Sequence, residues 1–590
     1  MRDRGSNRSP PARPRPRSPL APPRAHLISL SAMPSLPRLS WTLPLLLAAC
    51  SSDPTPAADA GATDAASATE APVATDAPVA TDAPVAERPM VMTTRGPVLG
   101  VVEDGIQHFF GIPYAAPPIG PLRWRAPEPA AAWTAPRDAS TKGASCPQAP
   151  GLLVGSPTTS EDCLFLNLWA PPIQPVAPRP VMVFIHGGGF GAGSGNDGQY
   201  DGPELARRGA VVINFNYRLG QLGFLGHSAL AAEDTAHHSS GNYGLMDQQA
   251  ALRWVRDNAA AFGGDPSNVT IFGESAGGIS VCAHVTSPVS AGLFHRAITQ
   301  SGPCSFLTTP LRDEDARAPV QSAASQGRLF AQAVGCGAAA DVVACMRART
   351  VAEVLAAAPR PIELERYGAR YQPTIDGYIL TEAPWRALAA GRFNRVPFIT
   401  GSNRDEGTIF TRGAMIPDEA AYRAAVTPLV PDHVDDVLRL YPISAYGSAF
   451  AAFTAFAGDA VFGCPSRAQA RLVAATGTPA FQYYFSKLNQ RANMVTGLGV
   501  YHSAEIAYVF GRFTGFFART DADTTVADAM GAAWVRFAAT GTPNAMGAST
   551  WPAFTAASDT YLEFGDMIRT ATGLRRDRCD VMEAWILPAP

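Results

Sequence analysis

Val269-Thr270-Ile271-Phe272-Gly273-Glu274-Ser275-Ala276-Gly277-Gly278 is a short β-branched and aromatic run that breaks into Gly-x-Ser-x-Gly and then into an apolar helical pattern. A strand that turns sharply into a helix at a serine lifts the hydroxyl clear of the sheet edge, and glycines flank it because side chains there would strike the neighbouring strand and helix. The pentapeptide alone is a weak signal, but its context strengthens it. Turn residues Gly263-Gly264-Asp265-Pro266 stand before the run, and Ile279 to Val285 continues as a helix after it.

Working outward, strand-like runs at Val181–Ile185, Val211–Asn216, Val269–Phe272, Val396–Thr400 and Phe481–Phe485 alternate with helical patterns. That alternation predicts an α/β fold with a large, mostly parallel twisted sheet flanked by helices. Leu245 to Ala261 has helical spacing through Leu252 and Val255 and ends at Phe262-Gly263-Gly264. With 590 residues, 46% of them apolar, the chain can bury a large core. Its net charge of −3 and the lack of any Lys/Arg block in the body make nucleic acid an unexpected partner.

The first 88 residues read differently. Residues 1–32 are rich in Arg and Pro without apolar periodicity, and Met33 is an alternative initiator to Met1. Pro37-Arg38-Leu39, the apolar Trp41–Leu47 and Leu47-Ala48-Ala49-Cys50 resemble a bacterial lipoprotein signal, too short to span a bilayer, with Cys50 as the lipidated first residue of the mature chain. An ordinary secretory signal is the alternative. Residues 51–88 are rich in Ala, Thr, Asp and Pro, with Thr-Asp-Ala-Pro-Val-Ala at 75–80 repeated at 81–86, and form an extended tether rather than a domain. The expected organisation is therefore a 1–50 extension and signal, a 51–88 tether and one domain over 89–590 with its first strand at Val98–Val102. The expected location is the cell envelope, with contact to a membrane only through the lipid anchor, or outside the cell.

A serine needs a base and an orienting carboxylate to become a nucleophile. In α/β-hydrolases these follow in the order serine, acid, histidine. Beyond the strand at 396–400 only His433 and His502 are available, and His433 sits in the charged helix start Pro431–Asp436, which reads as surface. His502 follows the glycine-rich Thr496–Tyr501 and is the expected base. The acid is expected in Gly401-Ser402-Asn403-Arg404-Asp405-Glu406-Gly407, where spacing leaves Asp405 and Glu406 open. The glycine run in His186-Gly187-Gly188-Gly189-Phe190 offers bare amides for an oxyanion, with His186 itself structural.

These stretches, together with Ser160-Glu161-Asp162-Cys163-Leu164-Phe165-Leu166-Asn167-Leu168-Trp169 and Phe262-Gly263-Gly264-Asp265-Pro266, resemble the type-B carboxylesterase family, which includes the cholinesterases, over nearly all of 93–586. The resemblance implies a serine esterase acting on a small-molecule ester through an acyl-enzyme; no cofactor is expected, and no metal either, since no Cys/His cluster has metal-ligand spacing. It selects Glu406 as acid with Ser275 and His502, and Gly188, Gly189 and Ala276 as the oxyanion hole. Glu274 and Ser301 match residues that support the triad. It also implies the disulfides Cys146–Cys163, Cys336–Cys345 and Cys464–Cys579, and leaves Cys282 and Cys304 as buried thiols or a further bond. Two departures bear on substrate. The segment between Cys146 and Cys163 has no aromatic residue to hold a quaternary ammonium, so choline esters are disfavoured. Tyr367-Gly368-Ala369-Arg370, at the position that lines the acyl pocket in relatives, hints at room for a bulkier acyl group. The rivals are a hydrolase of the same mechanism acting on carbamates, amides or lipids, and a non-catalytic surface adhesion protein. Oligomeric state is not legible.

Overall fold

The computed structural model describes residues 88–149, 158–172, 177–305, 308–316, 321–357, 371–546 and 551–587. Cys50, the tether before Arg88 and Tyr367–Arg370 lie outside the described residues.

Eleven strands form the main sheet: β1 (Val101–Glu103), β2 (Ile106–Pro113), β3 (Phe165–Ala170), β4 (Arg179–Ile185), β5 (Val211–Phe215), β6 (Gly264–Glu274), β7 (Arg296–Gln300), β8 (Phe398–Asn403), β9 (Ala480–Phe485), β10 (Thr560–Phe564) and β11 (Ile568–Thr572). Their order is β11-β10-β9-β8-β7-β6-β4-β5-β3-β2-β1. From β5 through β4, β6, β7, β8 and β9 to β10 every pairing is parallel. The remaining pairings at the two edges are antiparallel.

The parallel strands are buried on both faces, so they are apolar throughout. In β4, Val181, Val183 and Ile185 enter one hydrophobic cluster, while Met182 and Phe184 enter the other. The first cluster is covered by α1 (Tyr243–Asn258), through Leu245, Leu252 and Val255, and by α2 (Ala276–Thr286), through Val281 and Val285. A third cluster contains Phe453 and Phe456 of α3 (Ala449–Gly458) and Cys464 of α4 (Cys464–Ala475). The second sheet face is covered by Val526, Met530, Trp534 and Phe537 of α5 (Asp521–Thr540). The third cluster also takes Cys579 and Met582 of α6 (Arg576–Ile586).

Two details depart from the sequence reading. The single strand expected over Val98–Val102 is two. Pro97–Leu99 pairs in a small separate sheet, β1 joins the main one, and the chain changes sheets at Gly100, where a Cβ would lie 2.5 Å from the His108 carbonyl oxygen. The segment Gly264–Pro266, read as a turn, belongs to β6, because Gly264 still pairs with Arg179. Cys282 and Cys304, which the sequence left open as thiols or a bond, form a disulfide that joins α2 to the segment after β7. The bonds Cys146–Cys163, Cys336–Cys345 and Cys464–Cys579 are present.

Candidate active site

The turn from β6 into α2 places Ser275 at φ 56°, ψ −124°, a backbone conformation that non-glycine residues adopt only when their surroundings impose it. What imposes it is the approach of β4: a Cβ on Gly277 would sit 1.9 Å from the Ile185 carbonyl oxygen. The Ser275 amide donates to the Gln300 carbonyl at 2.9 Å, tying the turn to the end of β7. The serine itself is half-buried, so its hydroxyl reaches the surface of the site.

Opposite it, β4 runs out into the glycine triplet. Gly188 and Gly189 take φ values of 102° and 60° and are exposed. Their amides make no hydrogen bond to a protein acceptor among the described residues. Ala276 is the first residue of α2, where a helix leaves its amide without an internal partner. The triplet abuts the serine turn, since a Cβ on Gly187 would lie 3.1 Å from Ser275 Cβ. His186 beneath it stacks on Tyr217 at 4.4 Å, and burial pushes its pKa down to about 4, so it is a neutral structural group.

Glu406 follows β8 and is 1% exposed. Its Oε2 lies 2.6 Å from His502 Nδ1. Its Oε1 accepts from the Ser301 hydroxyl and from the Asn403 amide, each at 2.6 Å. Asp405, the alternative that spacing left open, faces elsewhere: its carboxylate accepts from the Val500 amide at 2.7 Å and pins the loop that leads to His502. His433 pairs with Asp436 at 3.2 Å and stacks on Trp585, away from this cluster.

The other ring nitrogen of His502, Nε2, lies 3.2 Å from Glu274 Oε1. Neither atom has a hydrogen-bond partner among the described residues, and no hydrogen bond joins His502 to the Ser275 hydroxyl. The structure thus brings Glu406, His502, Ser301 and Glu274 together and leaves the serine unbonded beside them. Bonds of this kind in unliganded sites are often long and tighten only around substrate.

Three buried carboxylates surround the imidazole. Glu505, fully buried, accepts from Gln300 Nε2 at 3.2 Å and from Asn403 Nδ2 at 2.5 Å, and burial pushes its pKa up to about 7. Burial likewise pushes Glu274 up to about 8, against the pull of His502. For His502, burial would depress the pKa, but the charges of Glu274 and Glu406 and the Glu406 hydrogen bond outweigh it and push the group up to about 9. Two rings complete the cluster, Phe410 at 4.9 Å and Phe462 at 4.6 Å from the imidazole centroid.

Sequence reasoning assigned no role to Glu505, Gln300, Asn403, Phe410 or Phe462. A lone carboxylate in the apolar stretch Ala504–Val509 was a usable sign for Glu505, because a charge there must be buried with partners. Phe462 gave no sign, being one apolar residue among many.

A mostly parallel eleven-stranded sheet carrying a strained serine turn at the end of a central strand, with acid and histidine on later loops, defines an α/β-hydrolase. The chain belongs to the carboxylesterase family, whose model matches residues 87–582, and it is a carboxylic ester hydrolase. It is 36% identical over 499 residues to fumonisin B1 esterase of Sphingopyxis macrogoltabida, covering 82% of this chain and 87% of the relative. It is 36% identical over 480 residues to para-nitrobenzyl esterase of Bacillus subtilis (strain 168), covering 79% of this chain and 92% of that one. Among solved structures it resembles a PNB esterase, with TM-score 0.71 and 32% identity, over 84% of this chain and 99% of the other.

Proposed function

We propose that the protein hydrolyses carboxylic esters through an acyl-enzyme, with Ser275 as nucleophile, His502 as general base and then acid, and Glu406 as the group that orients His502. The observation that carries this reading is the 2.6 Å bond from Glu406 to His502 Nδ1, with the opposite ring nitrogen 3.2 Å from the carboxylate of Glu274, the residue before Ser275. A small rotation of the imidazole, from Glu274 towards the neighbouring Ser275, gives the base its proton. The serine oxygen bonds to the ester carbonyl carbon, and the amides of Gly188, Gly189 and Ala276 receive the oxyanion. The proton on His502 leaves with the alcohol. Water then attacks the acyl-enzyme by the same route in reverse, and the acid is released.

The named activities of the relatives suggest testing para-nitrobenzyl esters and esters of bulky alcohols beside simple ones. The four disulfides suit an oxidising compartment, which supports export with Cys50 as the lipid-anchored residue. The deciding experiment is turnover of p-nitrophenyl esters from acetyl to long acyl chains by the wild type and by Ser275→Ala. Serine-dependent hydrolysis with a defined chain-length optimum is expected. Equal turnover by the two proteins would remove Ser275 from the mechanism.

A further inference from the structure

The helix that begins with α3 does not stop at Gly458. It passes through one π-helical turn, Asp459–Gly463, closed by a bond from the Cys464 amide to the Asp459 carbonyl five residues back, and continues as α4. A π-turn inserts one residue into the helical register and swings the side chains around it to new directions, at a cost that isolated helices avoid. Here the turn lies against the acid. Gly458 packs on the Glu406–Gly407 backbone, and a Cβ on Gly407 would sit 2.0 Å from the Thr454 carbonyl oxygen. The residue that the turn delivers to the site is Phe462, which is buried, 4.6 Å from the His502 ring and inclined at 39° to it. Phe410, one turn beyond Glu406, stacks on Phe462 at 5.4 Å and meets the imidazole nearly edge to face at 4.9 Å.

We infer that Phe462 is a positioning residue for the base: with Phe410 it confines the imidazole to the orientation bonded to Glu406 and stabilises the imidazolium that forms when His502 takes the serine proton. Both centroids lie within the distance of about 6 Å at which a ring quadrupole attracts a cation, and the imidazole is buried, which strengthens that attraction. The carboxylates of Glu406, Glu274 and Glu505 supply the remaining field on the imidazole. Glu406 also fixes its place through the Nδ1 bond, and the rings act on both its charge and its place. The serine proton rests on Nε2 while the acyl bond forms and is passed to the leaving alcohol, so a preference for the imidazolium lowers the barrier without holding the proton back.

The inference rests on the reading of His502 as base, and the experiment separates the two. Phe462→Met keeps the volume but removes the quadrupole, and Phe462→Tyr keeps the ring. The full chain and both variants are assayed on p-nitrophenyl acetate across pH about 5 to 10, with Ser275→Ala as control. Phe462→Met is expected to lower kcat about 3- to 10-fold with KM within about twofold, and to move the acid limb of kcat/KM down by about half a pH unit, since the protonated ring has lost a stabiliser. Phe462→Tyr is expected to restore both. A Met variant with the wild-type limb and kcat, or a change confined to KM, would overturn the inference and make Phe462 a wall of the substrate pocket. Where Phe462→Met fails to fold, Phe410→Met gives the same reading, and failure of both would make the rings packing elements only. Turnover that survives Ser275→Ala would instead sink the triad reading itself.

Discussion

Glu406 and His502 are held by groups that converge from separate segments, the Ser301 hydroxyl after β7 and the Asn403 amide at the end of β8 on Glu406, and the rings of Phe410 and Phe462 on His502. Ser275, Gly188 and Gly189 are held by backbone alone, through positive φ values and the close approach of β4 to α2. The difference follows what each half has to do. On the proposed mechanism Glu406 keeps one arrangement, so the two donors on its Oε1 and the His502 bond on its Oε2 remove freedom it never uses, while His502 is anchored through Nδ1 and keeps Nε2 free to turn. On the proposed mechanism the serine hydroxyl and the amides of Gly188 and Gly189 must stay unspent until a carbonyl arrives, so they are fixed through the chain and leave their polar atoms free.

Breaking the backbone-held half is expected to have the largest effect: Ser275→Ala should lower kcat by about four to six orders of magnitude, measured by active-site-titrated hydrolysis of p-nitrophenyl acetate. On the other half, Glu406→Gln keeps the shape but offers the wrong partner to Nδ1–H, and a fall in kcat of about 10³- to 10⁴-fold is expected. A loss under tenfold would show that Glu406 does not set the tautomer. Ser301→Ala removes one of the two donors on Glu406 Oε1, and a loss of about 10- to 100-fold in kcat with little change in KM would place the serine in support of the acid. The smallest change sharpens the comparison most. Glu274→Gln removes the charge nearest Nε2, so less of the proton's stabilisation on His502 remains, and the acid limb of kcat/KM should move to lower pH. A limb that stays in place would mean that Glu274 is itself protonated in the working range, as its raised pKa of about 8 allows.

How much of this was legible depended on how local the signal was. The serine turn, the glycine triplet and the five strands named from sequence all rest on contiguous residues whose size or branching dictates the chain path, and the structure has them in one sheet. His502 was reachable by elimination among few histidines. The choice of Glu406 over Asp405 needed the family resemblance, because adjacent carboxylates differ only in where the following 3₁₀ turn points them. The bond between Cys282 and Cys304 stayed open because it depends on how close α2 and the segment after β7 approach, which no periodicity encodes. Gly100 and Phe462 were missed for a related reason: a change of sheet and a π-turn each interrupt the local period, and a sequence pattern averages over such steps.

The disulfide between Cys464 and Cys579 begins one residue after the π-turn and ends in α6, whose neighbouring Arg575 also pairs with Asp459 inside that turn. Helix α6 is therefore mechanically in series with the aromatic seat of His502. For anyone truncating, tagging or immobilising this enzyme, a cut or a pull at α6 is, on the proposed mechanism, an intervention at the reaction centre delivered along a covalent strut.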